Sequence, residues 1–237
     1  AEQAGVSAMA ISKYERGEMT PGSEVLLRLA KALGVRVEYF LRHESVELEA
    51  VEFRKRAALS KTDERQILAD VRDKLERWQA LDEIFPPSEE MAFQVPEAVP
   101  AKLDSLDAIE DVALAIRQAW ELGHNPIPDL VDTLEERGVR VIVTPHIGNE
   151  HFDGLAARAG DLPVIAVGSE WPGDRQRFTL AHELGHLVLH GRLAEDLDEE
   201  KACDRFAGAF LAPRVVVIDS LGRSEEHTSE LQSRQSI

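Results

Sequence analysis

The stretch AHELGHLVLH, Ala181 to His190, sets three histidines four residues apart with a glutamate beside the first. On a helix His182 and His186 stand one turn apart on the same face, and both imidazoles can reach one Zn2+ at ~2.0–2.1 Å. A zinc that performs chemistry needs a third protein ligand and an open position. Glu183 adjoins the first histidine, where a carboxylate can take a proton from an attacking water and pass it to a leaving amine. One helical ridge cannot enclose an ion, so His190, a further turn along, reads as a helix-terminal residue favoured by the dipole there. The same spacing also occurs on exposed helices, so the reading depends on finding the rest of the shell.

That remainder begins fourteen residues after His186, in EKACDRFAGAFLAP. The run predicts a helix with Phe206, Ala207, Phe210 and Leu211 on its apolar side, and with Glu200 and Asp204 one turn apart on the other. Glu200 can close a three-ligand shell, and Asp204 can accept the free N–H of a zinc-binding histidine. Glu195, Asp198 and Glu199 are rival carboxylates that read as a solvated connection. Cys203 reads as a small buried side chain rather than a ligand.

Upstream, Ile109, Val112, Ala113, Ile116 and Trp120 mark a helix that stops at Gly123. A second helix starts after Pro126 and Pro128 and ends on LEERG, with Gly138 as its cap. Three short strands follow, VRVIVT, GLAARA and PVIAVG, with Gly160-Asp161 as a hairpin turn between the last two. The histidine helix then runs from Arg175 or Arg177 to His190, with Gly191 just past its end. The fold class is mostly α with a small three-stranded sheet, an α+β arrangement.

Charge divides the chain. Residues 1–43 carry six Lys or Arg against five Glu, whereas residues 44–222 carry nineteen against thirty-six acids. A boundary near residue 44 follows. Between the halves, Ser60 and Asp63 form a capping box, and Ile67, Leu68, Val71, Leu75, Trp78, Leu81 and Phe85 recur at threes and fours. That apolar stripe must pack on the following domain or on a second copy. FPPSEEMAFQVPEAVP, with four prolines, reads as a linker. No apolar run approaches the ~18 residues of a membrane helix, so no membrane partner is expected. The single cysteine argues against a disulfide framework and suits a reducing cytoplasm.

At the amino end, Gly5 supplies a sharp turn, Ser7 an N-cap and Gly17 a helix stop. A helix announced by Pro21 and Ser23 carries Val25, Leu26, Leu29, Ala30 and Leu33, and closes on Gly34. The pattern AGVS…IS.YERG…P….L..LAKALGV resembles the Cro/C1-type (XRE) helix-turn-helix family over about forty residues. The resemblance implies a recognition helix from Ser7 to Arg16, with Ile11 and Tyr14 inward and Ala8, Met9, Ser12 and Lys13, beside the capping Ser7, towards operator DNA. The family's first helix and the start of its second are absent, and Ala8 and Met9 stand where longer polar side chains often read bases. Weak DNA binding by this fragment is expected.

The runs NPIPDLVDTLEERGVRVIV, FDGLAAR, PVIAVGSE, RQRFTLAHELGHLVLH and E…CDRFAGAFLAP resemble the IrrE/ImmA-type zinc metallopeptidases over roughly residues 103 to 214. Many members are fused to this type of helix-turn-helix through a helical segment. Such enzymes cut a DNA-binding repressor, switching on stress-response or mobile-element genes. The resemblance gives His182, His186 and Glu200 to Zn2+ and makes Glu183 the catalytic base. Zincins also commonly bind substrate as an added strand, which makes PVIAVG or its neighbour the expected peptide contact. His146, His151 and Arg177 are the available oxyanion partners, since both tyrosines lie near the amino end.

The domains read as 1–43 helix-turn-helix, 44–100 helical connector and linker, and 101–222 metallopeptidase. Residues 223–237 are set aside, because Arg223 to Ser233 is the in-frame translation of a common sequencing-adapter DNA; the true carboxyl end is expected to be missing. Two functions stay open. One is a regulator with a zinc endopeptidase that cuts a repressor. The other is a non-proteolytic regulator whose zinc domain is a sensor or structural module. A homodimer would suit two-fold operators.

Overall fold

The computed structural model describes residues 1–41, 46–53, 60–86, 92–145 and 152–219, with the backbone alone at 50–53. It divides into two units, Ala1–Ser45 and Val46–Ile237. His146, His151 and residues 220–237 lie outside the described residues.

In the first unit, α1 (Ala8–Glu15) starts where the Ser7 hydroxyl accepts the Ala10 N–H at 3.1 Å. Its end is closed by Glu18 N–H to Lys13 C=O and Gly17 N–H to Tyr14 C=O, with Gly17 left-handed at φ 68°. This paired closure satisfies carbonyls that a helix end leaves bare, and glycine enters it without Cβ strain. Helix α2 (Ser23–Leu33) closes on Gly34, and a 3-10 turn, Val37–Leu41, follows. Ala4 and Ala30 are the fully buried apolar side chains among the described residues here. Ile11 and Tyr14 are half-buried, while Leu33, expected on the apolar stripe, is 63% exposed. So few elements bury too little surface to cover every apolar position.

On α1, Ala8, Met9 and Lys13 are exposed. The half-buried Ser12 accepts a hydrogen bond from Arg16 Nη1 at 2.6 Å, and Arg16 Nε donates to Glu18 at 2.6 Å. That bond holds the Glu18 carboxyl below the usual range and raises the Arg16 guanidinium.

The second unit is built on a sheet of order β1-β3-β4-β2, whose strands are Glu49–Phe53, Gly154–Ala159, Leu162–Gly168 and Arg140–Thr144. β4 runs antiparallel to β3 and parallel to β2. Because side chains alternate across a strand, β4 can be apolar throughout only if both faces are covered. Ile165 and Val167 enter one core, Val164 and Ala166 the other. The first core is completed by α4 (Asp107–Ala119), α5 (Leu130–Glu136), α6 (Gly173–Leu189) and α7 (Glu199–Leu211). The second is completed by α3 (Lys61–Ile84), which buries Ile67, Val71 and Leu75.

The stripe expected to pack on the next domain or a second copy therefore packs on this sheet, but only in part. Leu81 is 49% and Phe85 73% exposed. A 24-residue helix spans roughly 36 Å and outruns the sheet. Residues 46–100, read as connector and linker, fall in the same unit as the sheet. Within the proline-rich run Val99 is buried, and Phe93 and Val95 pack on the first core.

The three expected strands are present, joined by a fourth, β1, which the sequence reading does not anticipate. The α4 stop also falls earlier than Gly123: Glu121 is left-handed at φ 58° and closes the helix through Leu122 N–H to Arg117 C=O at 2.9 Å. No helix among the described residues is long and apolar enough to cross a membrane.

A left-handed non-glycine residue costs about 1–2 kcal/mol. Glycine relieves that cost but is more flexible when unfolded, by about 0.5–1 kcal/mol. Glu121→Gly is therefore expected to stabilise the second unit by roughly 0.5–1 kcal/mol, read as a higher urea midpoint at unchanged slope. An unchanged or lower midpoint would show that the left-handed turn carries no strain.

Candidate metal centre

Helix α6 crosses the sheet with Leu180, Ala181, Leu184 and Val188 in the core. Its neighbour α7 is aligned by Asp198, whose carboxylate caps the Lys201 N–H at 3.1 Å and is held below its usual range by that bond. The two helices approach closely. A Cβ placed on Gly185 would sit 3.2 Å from Cys203 Cα and 3.3 Å from its Cβ. Gly185 thus lets α7 lie near enough for its acids to meet the α6 histidines.

The imidazoles of His182 and His186 are buried, 0% and 5% exposed, with ring centroids 4.9 Å apart. His182 Nδ1 lies 2.9 Å from Asp204 Oδ1, and His186 Nδ1 lies 3.3 Å from Glu199 Oε1. An ionised carboxylate only accepts, so each Nδ1 is placed to carry a proton, and in the neutral tautomer each Nε2 then offers a lone pair. Those two Nε2 atoms face each other at 3.2 Å. The Glu200 carboxylate straddles them, 3.5 Å from His182 Nε2 and 3.6 Å from His186 Nε2.

Two lone pairs and an anion directed at one point repel unless a cation lies among them. Ligands at ~2.1 Å in a tetrahedral shell stand about 3.4 Å from one another, which is close to all three separations. The donor set, two neutral imidazoles and a carboxylate, also suits zinc. The residues present therefore fit a metal ion.

Cys203 is fully buried, and its Sγ lies with an imidazole nitrogen of each histidine in a group no more than 4.8 Å across. Two third donors are thus near the histidines. The Glu200 oxygens are placed between the Nε2 atoms, whereas Cys203 fills the contact between α6 and α7 beside Gly185.

Glu183 is fully buried on the sheet side of α6. A Cβ on Gly154, the first residue of β3, would lie 3.0 Å from Glu183 Oε1 and 2.5 Å from Thr179 Cγ2. Gly154 thus clears the space that the carboxylate occupies. His190 is exposed at the C-cap of α6. Arg177 is engaged elsewhere, with Nη2 donating to Ile127 C=O at 2.5 Å and Nη1 to Pro128 C=O at 3.3 Å. It ties α6 to the loop before α5 instead of facing the histidines.

The structure brings together His182, His186, Glu200 and Asp204 as the spacing suggested. It adds three residues the sequence reading had placed elsewhere or passed over: Glu199, read as part of a solvated connection, Cys203 and Gly154. A signal for the first existed, since Glu199 and Cys203 are four apart, as are Glu200 and Asp204, and both pairs turn towards α6. The set expected to face DNA, Ser7, Ala8, Met9, Ser12 and Lys13, lies in the other unit, where Ser7 caps α1 and the Ser12 hydroxyl accepts from Arg16.

Comparison with known proteins defines the class. Residues 134–234 match the family model of the M78 peptidases, described as the IrrE N-terminal-like domain, and residues 1–40 match a helix-turn-helix model. The amino-terminal segment is thus similar to helix-turn-helix domains and the carboxyl-terminal segment to the IrrE-like domain of the M78 peptidases. A stretch of 73 residues is 37% identical to the radiation response metalloprotease IrrE of Deinococcus radiodurans, covering 25% of this chain and 22% of that protein. The chain thus spans about a fifth of the length of the curated relative it matches. The M78 match runs through residues 223–233, which the sequence reading sets aside.

Carboxylates that orient metal-bound histidines typically contribute about 10–100-fold to metal affinity. Asp204→Asn is expected to weaken zinc binding by about that much in a chelator competition, with Glu199→Gln weaker in effect because its contact is longer. Equal affinity in both variants and the wild type would mean that neither acid orients an imidazole around a metal.

Proposed function

We propose that the M78 domain is a zinc-dependent endopeptidase that cuts a DNA-binding repressor, and that the helix-turn-helix brings it to the operator where that repressor sits. The observation that supports this most is the pair of Nε2 lone pairs facing each other at 3.2 Å beside the Glu200 carboxylate. His182, His186 and Glu200 would hold Zn2+, with Asp204 and Glu199 fixing the imidazole tautomers. When bound, zinc supplies Lewis acidity, polarising a scissile carbonyl and making water a better nucleophile at neutral pH.

The rest of the chemistry falls to the chain. Glu183, buried between α6 and β3, takes a proton from the attacking water and returns it to the leaving amine. Burial excludes competing water from that carboxylate. The acidic 44–222 segment would attract a basic, DNA-binding substrate and speed encounter. Ser7, Ala8, Met9, Ser12 and Lys13 present the DNA-facing side of α1, and a homodimer would match a two-fold operator. The setting is the cytoplasm, where the operator and the single thiol both belong.

The test compares the wild type with Glu183→Gln, both analysed for metal and incubated with the repressor encoded beside the gene. One zinc per chain in both is expected, with repressor cleaved by the wild type and spared by Glu183→Gln, a rate loss of at least about 10²-fold. A zinc-loaded wild type that leaves the repressor whole, with operator binding the same for both chains, would instead favour the zinc domain as a sensor or structural module.

A further inference from the structure

β3 is the strand that leads to Glu183. Its first residue, Gly154, looks directly onto that carboxylate, with 3.0 Å between a built Cβ and Oε1. One side of β3 is fully paired with β4, from Gly154 opposite Val167 to Ala159 opposite Leu162. An extended peptide that is to reach Glu183 by adding to this sheet has only the other side of β3 to use. β4, which contains the PVIAVG run, is internal and has no free edge.

That other side is taken by β1. The strand runs antiparallel to β3, with Glu49 opposite Arg158, Glu52 opposite Ala156 and Phe53 opposite Leu155. Its carboxyl end therefore lies one residue from Gly154. The ladder is interrupted, because the register shifts between Glu49 and Glu52. Before the strand, Val46 is buried and Leu48 packs on the second core. The segment is thus anchored at one end and held by an irregular ladder at the other.

We propose that β1 is an intramolecular occupant of the peptide-binding edge, and that an extended peptide docks antiparallel on β3 only after β1 leaves. This rests on the peptidase reading for its purpose, though not for its geometry. Backbone hydrogen bonds give such docking its affinity, so any extended segment competes with β1, and one placing an acid opposite Arg158 copies the Glu49 pairing.

The test uses the zinc-loaded full chain and a fluorescein-labelled peptide with the sequence of residues 46–53. Adjacent residues of a strand direct their N–H groups to opposite sides, so Glu52→Pro combined with Phe53→Pro removes one donor aimed at β3 whichever it is. In Glu49→Cys with Arg158→Cys, facing partners can be joined by a disulfide that keeps β1 in place. The double-proline chain should lose hydrogen-exchange protection at residues 155–159 and bind the peptide about tenfold or more tightly than the wild type, whose edge is open only part of the time. The crosslinked chain should bind no peptide until it is reduced.

Protection unchanged by the prolines, an exposed β3 that takes the peptide no better than the wild type, or crosslinked and reduced chains that bind alike would each overturn the proposal. Repressor cleavage, followed in parallel, separates the two readings. Peptide capture without cleavage in any chain would remove the peptidase and leave the docking edge standing.

Discussion

Two imidazole nitrogens, each with a lone pair and 3.2 Å apart, are the arrangement on which the second unit turns. With both rings neutral, neither can donate to the other while Asp204 and Glu199 accept from the far side of each ring. They are held by the register of α6 against α7, fixed where Gly185 admits the backbone of Cys203. In the core beneath, Phe206 and Phe210 stack at 5.6 Å within the same cluster as Ile116 and Leu184. Packing of α7 on α6 thus brings these polar atoms into a geometry that suits a bound cation.

Much of this was legible in the sequence, for identifiable reasons. Helix periodicity, the Ser60 and Asp198 caps and the Gly160-Asp161 hairpin are local signals, and the elements begin and end close to where those residues stand. His182, His186, Glu200 and Asp204 share the four-residue spacing that puts side chains on one helical face, so both halves of the site could be found separately. Their mutual distances could not, since these depend on the α6–α7 approach at a single glycine.

The rest was hidden because it is not local. β1 carries no alternation strong enough to announce a strand, and its place is set by the unfilled edge of β3 instead of its own pattern. Cys203 was expected only to pack, and it does, yet it comes near both histidines because helical spacing carries it along with Glu199. Glu121 closes α4 where glycine would be the ordinary choice, so the stop was placed at Gly123 instead. Composition misled in the proline-rich run, where Phe93, Val95 and Val99 pack on the core. In the first unit, where only two apolar side chains are fully buried among the described residues, periodicity named a stripe that the structure covers only partly.

The most direct measurement of the centre is X-ray absorption at the zinc edge on the metal-loaded full chain. Nitrogen and oxygen scatterers at ~2.0–2.1 Å, two imidazoles among them and no sulfur, are expected if His182, His186 and Glu200 form the shell. A sulfur scatterer at ~2.3 Å would put Cys203 in the shell and contradict the assignment of Glu200 as the third ligand. A chain that takes up no zinc at all would contradict the centre altogether.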